Sequence, residues 1–202
     1  MITETRVDKA VNRLMRHFGK HVMVRPPAST GEMAELEAFV GPLPRELIIF
    51  LATTNGVRVN VEWTEEERHL CCIHEILSEL RAPAGPGVPP ALVPVRGPAD
   101  GQRDWLVLET GPLHGMVMRW EPGMPGEMLL ASSFGHYFDA WAHYLIEFFD
   151  VNGKPNRLSR PPFDVQYIAK YDAEVLELAV RAPAREWLAE LDLRAAAGAD
   201  ME

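Results

Sequence analysis

The chain has 202 residues, of which 47% are hydrophobic and 24% charged, a composition typical of a globular protein. Its formal net charge of −9 argues against nucleic-acid binding, because contacts to phosphates need clustered Lys and Arg side chains. No apolar run approaches the roughly 18 residues of a membrane span, and the N-terminal stretch MITETRVDKAVNRL lacks the apolar segment of a signal peptide. We therefore expect a cytoplasmic protein with no membrane contact.

The first predicted element is an amphipathic helix over residues 3–18. Its apolar residues recur at helical spacing, and Met15 falls on the same face. Thr3 is a plausible N-cap, and Gly19 stands where the helix should stop.

Two more helices are predicted before any strand. Ser29 and Glu32 have the spacing of a capping box, which opens a helix through residue 40. Pro44 then suits the first turn of a third helix, because its fixed φ matches the helical value. Asn55 and Gly56 mark the end of that helix with a turn.

The middle of the chain alternates apolar and polar residues, which predicts strands. The stretch VRVNVEW at 57–63 comes first, and HLCCIHEIL at 69–77 predicts a second strand leading into a short helix near residue 80. Further strand segments are LVPV at 92–95, DWLVLE at 104–109, GMVMRW at 115–120 and one within EMLLASSF at 127–134. Because tight turns separate these strands, we expect antiparallel pairing.

Helices are expected again after the strands. The stretch HYFDAWAHYLIEFF at 136–149 predicts a strongly apolar helix, and two more are predicted at 172–181 and 184–194. Segregation of helices and strands along the chain indicates the α+β class rather than repeated βαβ units.

The first candidate site is the stretch HLCCIH, because Cys and His are zinc ligands. If the stretch is a strand, alternation sends His69 and Cys71 to one face, and Cys72 and His74 to the other. At most two ligands then meet at one point. The simpler interpretation is a pair of buried, reduced cysteines, and we predict no metal site.

The second candidate site combines Ser133, His136 and Asp139 as a catalytic triad. The chain has no G-x-S-x-G turn, and the Ser-x-x-His spacing is more typical of a helix N-cap followed by a first helical turn. Phosphate-binding loops such as G-x-G-x-x-G are also missing from the sequence. We therefore predict a protein without catalytic residues and without a cofactor.

The order of the short motifs resembles the SMI1/KNR4 family of the SUKH superfamily. A helix with EAFVG, a Leu-Pro pair and a helix ending in FLATTNG come first, and LVPVRG, DWLVLE, GMVMRW and LLASSF follow in order over about residues 30–150. The residues of this chain that carry the resemblance include Glu37, Leu43, Pro44, Phe50, Asn55, Gly56, Ser133 and Phe134. The chain departs from the family where a Gly-Asp pair is common, since Gly101-Gln102-Arg103-Asp104 stands there.

The resemblance implies a fold, a domain organisation and a function. The fold would be a twisted, mostly antiparallel sheet packed with helices over residues 29–150. Helical extensions would flank it at 1–28 and 151–202, the second packed on the same domain. Many bacterial members look like immunity proteins that neutralise a polymorphic or contact-dependent toxin, and fungal relatives act as regulatory interaction proteins.

Three functions follow for this chain. The first is a non-enzymatic protein-binding domain that acts as an immunity protein. The alternative is a regulatory or scaffold module for an endogenous cytoplasmic partner. The third is a hydrolase or metal enzyme that uses Ser133 with His136, or Cys72 with His74.

Negative charge suggests where a toxin would bind. An acidic surface speeds the capture of a basic protein, and a basic nuclease toxin is one such partner. The candidate contacts are the acidic residues near predicted turns and strand ends: Glu62, Glu65, Glu66, Glu67, Asp100 and Asp104. The simpler interpretation of each is an ordinary solvated charge.

Overall fold

A computed structural model describes residues 5–62, 69–81, 92–99, 102–109, 111, 113–120, 128–157 and 160–180. Within these residues the protein is α+β, as the order of predicted elements indicated. The helices are α1 (Arg6–Phe18), α2 (Thr30–Val40), α3 (Arg45–Thr53), α4 (Ile73–Arg81), α5 (Phe134–Phe148), α6 (Val165–Ile168) and α7 (Glu174–Val180), and a short 3-10 turn at Gly19–His21 follows α1. The strands are β1 (Val22–Val24), β2 (Val57–Val59), β3 (His69–Leu70), β4 (Leu92–Ala99), β5 (Gln102–Val107), β6 (Val117–Trp120) and β7 (Met128–Ala131).

Helix α1 begins later than predicted and buries a slightly rotated face, with Ala10 in place of Met15. Its N-cap is Thr5 rather than Thr3, because Asp8 three residues on completes a capping box with Thr5. Met15 does not face the core, and half of its surface is exposed. Gly19 ends the helix with φ of +52°, as predicted.

Helix α2 confirms its predicted capping box, whereas Pro44 precedes the first turn of α3, in which it was predicted, by one residue. The Ser29 hydroxyl accepts a hydrogen bond from the Glu32 backbone N–H, and the Glu32 side chain accepts one from the Ser29 backbone. Pro44 is the N-cap of α3. The predicted helix at 172–181 corresponds to α7, while the one at 184–194 lies outside the described residues.

The strands form two antiparallel sheets that meet at Cys71. One sheet has the order β1-β2-β3 and the other β4-β5-β6-β7. The Cys71 backbone N–H donates to the Val95 carbonyl over 3.1 Å, so β3 lies beside β4. The strand predicted at 57–63 ends at Val59, and the Glu62 N–H bonds to the Gly153 carbonyl instead of a neighbouring strand.

Alternation along the second sheet divides its side chains between two apolar layers. Leu106, Val117 and Leu130 face the main core, which includes the buried faces of α1, α3 and α5. Trp105 and Met118 face the opposite side, where Val175 of α7 packs against them. Residues on both sides of 29–150 thus share a core with it, while the predicted boundaries at 28/29 and 150/151 stay predictions.

None of the described helices is both long and apolar enough to cross a membrane.

Candidate functional site

A cleft of about 330 Å³ opens where the start of α3 meets the start of α5. Its walls are Leu43, Pro44, Arg45, Glu46, His114, Gly115, Ser132, Ser133 and Phe134. Four of these residues, Leu43, Pro44, Ser133 and Phe134, carry the family resemblance. Residues far apart in sequence therefore form a single concave surface, which we call the α3–α5 cleft.

Glu46 fixes one wall of the α3–α5 cleft by binding the first turn of α5. Its carboxylate accepts a hydrogen bond from the Gly135 backbone N–H over 3.0 Å. A Cβ at position 135 would lie 2.5 Å from the Glu46 Oε1, so a side chain there would displace the carboxylate. Neither residue was predicted as part of a site, although a glycine in the first turn of an otherwise apolar helix was a usable signal.

Ser133 has the capping role that its spacing predicted. Its side chain accepts a hydrogen bond from the His136 backbone N–H over 3.3 Å at the start of α5. The proposed triad partner Asp139 lies elsewhere, paired with Arg13 and Arg6 of α1. The triad Ser133–His136–Asp139 is therefore not assembled.

Beside the Ser133 cap, Ser132 forms hydrogen bonds with the buried Asp172 and with His136. The Asp172 carboxylate accepts hydrogen bonds from the Ser132 N–H (2.6 Å) and hydroxyl (2.9 Å), and the same hydroxyl lies 2.9 Å from His136 Nδ1. In a catalytic triad the acid orients the histidine and leaves the serine proton to it. Here the acid bonds the serine directly, so this network ties α5 to the segment before α7.

Asp104 is a correction to the predicted surface contacts, because it has no exposed surface. Its carboxylate accepts hydrogen bonds from Arg96 Nε (2.8 Å), Arg119 Nε (2.8 Å) and the Tyr137 hydroxyl (2.6 Å). Burial works to raise the pKa of Asp104, but Arg96 and Arg119 outweigh it, so the pKa lies below the ordinary carboxyl value. We call these four residues the Asp104 network.

Of the other acidic candidates, the structure describes only Glu62. It is exposed just after β2. Glu65, Glu66, Glu67 and Asp100 lie outside the described residues.

Asn55 and Gly56 position the connection between β3 and α4. The Asn55 side chain accepts a hydrogen bond from the Ile73 N–H (2.8 Å) at the start of α4 and donates one to Glu32 (3.2 Å) of α2. Gly56 has φ of +100°, and a Cβ there would lie 3.1 Å from the Cβ of Cys72.

Of the other resemblance residues, Phe50 is buried and stacks edge-on against Phe134, and Glu37 is exposed on α2.

The HLCCIH stretch is not a continuous strand, and this changes which ligands meet. Strand β3 ends at Leu70 and α4 begins at Ile73, so His74 is an exposed helical residue. The first turn of α4 instead brings Glu75 back toward the strand. Ligand atoms of His69, Cys71 and Glu75 lie within 4.8 Å of one another, and we call these residues the His69 cluster.

Hydrogen bonds hold the carboxylate of the His69 cluster in place. Glu75 Oε2 lies 3.2 Å from His69 Nε2 and accepts a bond from the Cys72 N–H (2.8 Å), while Oε1 accepts one from Arg25 (3.1 Å). The hydrogen bond from His69 is the main reason that the pKa of Glu75 falls to about 2. Burial raises the pKa of the Cys71 thiol, with Glu75 and Glu79 adding to the effect.

A scan of the chain against models of known protein families finds no match, and a search of curated proteins finds no similar sequence.

Proposed function

We propose that this chain is a non-enzymatic, cytoplasmic protein-binding domain of the SMI1/KNR4 type, and that it acts as an immunity protein against a cognate bacterial toxin. The proposal rests most on the α3–α5 cleft. Four residues that carry the resemblance, from two distant segments, line this one surface. Pro44 and Ser133 are partly exposed there and can meet a partner, while Leu43 and Phe134 are buried and belong to the core beneath the cleft.

The hydrogen bonds around the cleft also favour binding over chemistry. Ser133 caps α5, and Ser132 and His136 share their polar atoms with Asp172. A nucleophile needs a base that is free to take its proton. Ser133 Oγ does lie 3.3 Å from His136 Nδ1, but Ser133 also caps α5 and Ser132 bonds Asp172, which favours a structural role for this group.

Charge points to a basic partner. The net charge of −9 favours fast association with a basic protein such as a nuclease toxin. Glu62 is exposed and can contribute to that attraction directly.

The test is co-expression with a toxin encoded beside this gene. The proposal expects that cells survive the toxin only when this chain is present, and that the two purified proteins form a complex. If no toxin gene is adjacent, or if the neighbouring toxin is neither bound nor neutralised, the proposal fails. A single stoichiometric housekeeping protein recovered from the native cell would support the regulatory module instead.

Two pairs of variants locate the toxin-binding surface. Arg45→Trp places a bulky side chain on the exposed rim of the α3–α5 cleft, and Lys9→Trp makes the same change in size and charge on exposed α1 as its control. We expect about a tenfold loss of toxin affinity only for the first, because the indole blocks close approach to the cleft. Glu62→Lys and the control Glu37→Lys change the net charge equally, so a larger fall in association rate for Glu62→Lys would place Glu62 at the interface.

A further inference from the structure

Three different metal-binding side chains converge at the junction between the two sheets. His69 belongs to β3, Cys71 follows it directly, and Glu75 belongs to the first turn of α4. Among the described residues, this is the group of His, Cys, Asp and Glu side chains whose ligand atoms lie close enough to share an ion. Imidazole, thiolate and carboxylate are all ligands that zinc accepts.

We propose that His69, Cys71 and Glu75 form a zinc-binding site with a fourth position open to water. This inference goes beyond the proposed function and does not depend on it. It also departs from the sequence-based prediction of no metal site. That prediction assumed strand alternation through residue 74, which left Glu75 out.

The distances suit zinc with a small adjustment. In a tetrahedral site, two ligands bound at about 2.1 Å lie about 3.4 Å apart. His69 Nε2 and Glu75 Oε2 already lie 3.2 Å apart, and the third atom lies within 4.8 Å of both. The separations to the Cys71 sulfur therefore exceed the tetrahedral value by at most about 1.4 Å, which is the shift that binding would require.

The surroundings hold two of the ligands before a metal arrives. The Cys71 backbone is anchored by its hydrogen bond to Val95, and the Glu75 carboxylate by Arg25 and the Cys72 N–H. Such outer hydrogen bonds orient metal ligands and strengthen binding.

Partial exposure of His69 and Glu75 gives a metal ion a route into the site and leaves its fourth coordination position open to water. The side chains of His69 and Glu75 are 22% and 34% exposed, while Cys71 is buried. An ion can therefore enter from the side of the histidine and carboxylate, and water can complete the coordination. When the metal binds, the Cys71 sulfur–hydrogen bond is replaced by a sulfur–zinc bond, and the proton is released to solvent.

A simpler interpretation explains the same contacts without a metal. Glu75 lies three residues after Cys72 and bonds its N–H, as a carboxylate does when it caps its own helix. In that case His69 pairs with Glu75, and Cys71 is a core residue. The two interpretations differ in whether the thiol of Cys71 ever meets a cation.

Cobalt titration of the full-length, chelator-treated protein distinguishes them. A tetrahedral Co²⁺ site with one thiolate gives a near-ultraviolet charge-transfer band and intense visible bands, and Zn²⁺ in competition removes both. The proposal expects these bands to saturate at one Co²⁺ per chain. Their absence from the native protein would overturn it.

The neighbouring residues supply matched controls. We expect Cys71→Ser to lose the charge-transfer band, and His69→Gln and Glu75→Gln to lower the Co²⁺ affinity by at least about tenfold. Cys72→Ser and the exposed His74→Gln should retain both band and affinity. Glu75→Gln keeps the test decisive if Cys71→Ser does not fold, because the Glu75 side chain is partly exposed. Loss of the band in Cys72→Ser but not in Cys71→Ser would overturn the assignment.

Discussion

The Asp104 network and the His69 cluster both gather ionisable side chains around one carboxylate, but they differ in exposure. Asp104 has no exposed surface, and two arginines and a tyrosine occupy its oxygens. Glu75 keeps a third of its side chain exposed, and its neighbours are one surface arginine, one histidine and one thiol. A buried carboxylate must be fully paired because its desolvation is costly. A carboxylate that is one-third exposed, such as that of Glu75, has room for water or an ion.

The difference in exposure between the two clusters should have its largest effect on the free energy of unfolding. Asp104→Ala leaves Arg96 and Arg119 without their shared carboxylate in a dry environment. We expect the free energy of unfolding to fall by about 3–5 kcal/mol, as when one partner of a buried ion pair is removed. Urea denaturation measures it, with exposed Glu37→Ala as the control, expected within about 0.5 kcal/mol of the native protein. Equal losses in both variants would show that the Asp104 network contributes no special stability.

A smaller loss is expected from Tyr137→Phe. This change removes one hydrogen bond to Asp104 while both arginines remain. Hydrogen bonds to charged groups contribute about 1.5–3 kcal/mol, and the buried tyrosine ring is preserved. The same denaturation experiment applies, and Tyr171→Phe, at a partly exposed ring, is the control. A loss as large as that of Asp104→Ala would mean that the ring position, and not the bond, is being disturbed.

Low pH should weaken the Asp104 network, because its stabilising contacts need the Asp104 carboxylate to be charged. The pKa of Asp104 is lower in the folded protein than in the unfolded chain, because Arg96 and Arg119 outweigh burial. Its contribution is therefore complete above the ordinary aspartate pKa of about 3.9 and is lost as the pH falls from there toward the folded pKa. Unfolding free energies of the native protein and of Asp104→Asn, measured from about pH 6 to pH 3, should draw closer together as the pH falls below about 3.9. Parallel curves would contradict the shift.

The smallest effect is expected in the His69 cluster without metal. Glu75→Gln breaks contacts to Arg25 and His69, whose side chains are 48% and 22% exposed. The low pKa of Glu75 favours its charged form, but water screens its contacts because the side chain is 34% exposed. Exposed ion pairs contribute about 0–1 kcal/mol, so the unfolding free energy of the metal-free protein should fall by less than about 1 kcal/mol. Denaturation in the presence of chelator measures this, with Arg81→Gln on the same helix as a control. A loss near that of Asp104→Ala would remove the contrast between the two clusters.

Sequence patterns predicted the parts of the fold whose partners lie close together in the chain. Three helix starts depend on residues that lie within one helical turn, so local spacing alone predicts where each helix begins. They are marked by Ser29 with Glu32, by Pro44, and by Ser133 with His136. The start of α1 was placed two residues early because Thr3 and Thr5 are equally good caps. Asp8 completes a capping box with Thr5, and this makes Thr5 the N-cap.

The site residues that were missed depend on partners far away. Asp104 was taken for a surface charge, although alternation through DWLVLE places it on the same face as buried Leu106. Its arginines come from β4 and β6, and no local pattern reveals that they converge. Glu75 was missed because its approach to His69 depends on where β3 ends. Cys72 and Glu75 have the spacing at which a carboxylate caps the start of its own helix. That spacing would have predicted that β3 ends before Cys72.

Glu46 gives the α3–α5 cleft a preference for the charge of its ligands. The N-terminus of a long helix ordinarily attracts anions through its free N–H groups and its dipole. At α5 the protein's own carboxylate already occupies the Gly135 N–H. A phosphate or an acidic peptide would have to displace Glu46 and meet its repulsion, whereas an arginine or lysine side chain would meet a carboxylate whose orientation is already fixed. A cationic group would therefore be favoured over an anion at this end of the cleft, while Arg45 on the rim carries the opposite preference.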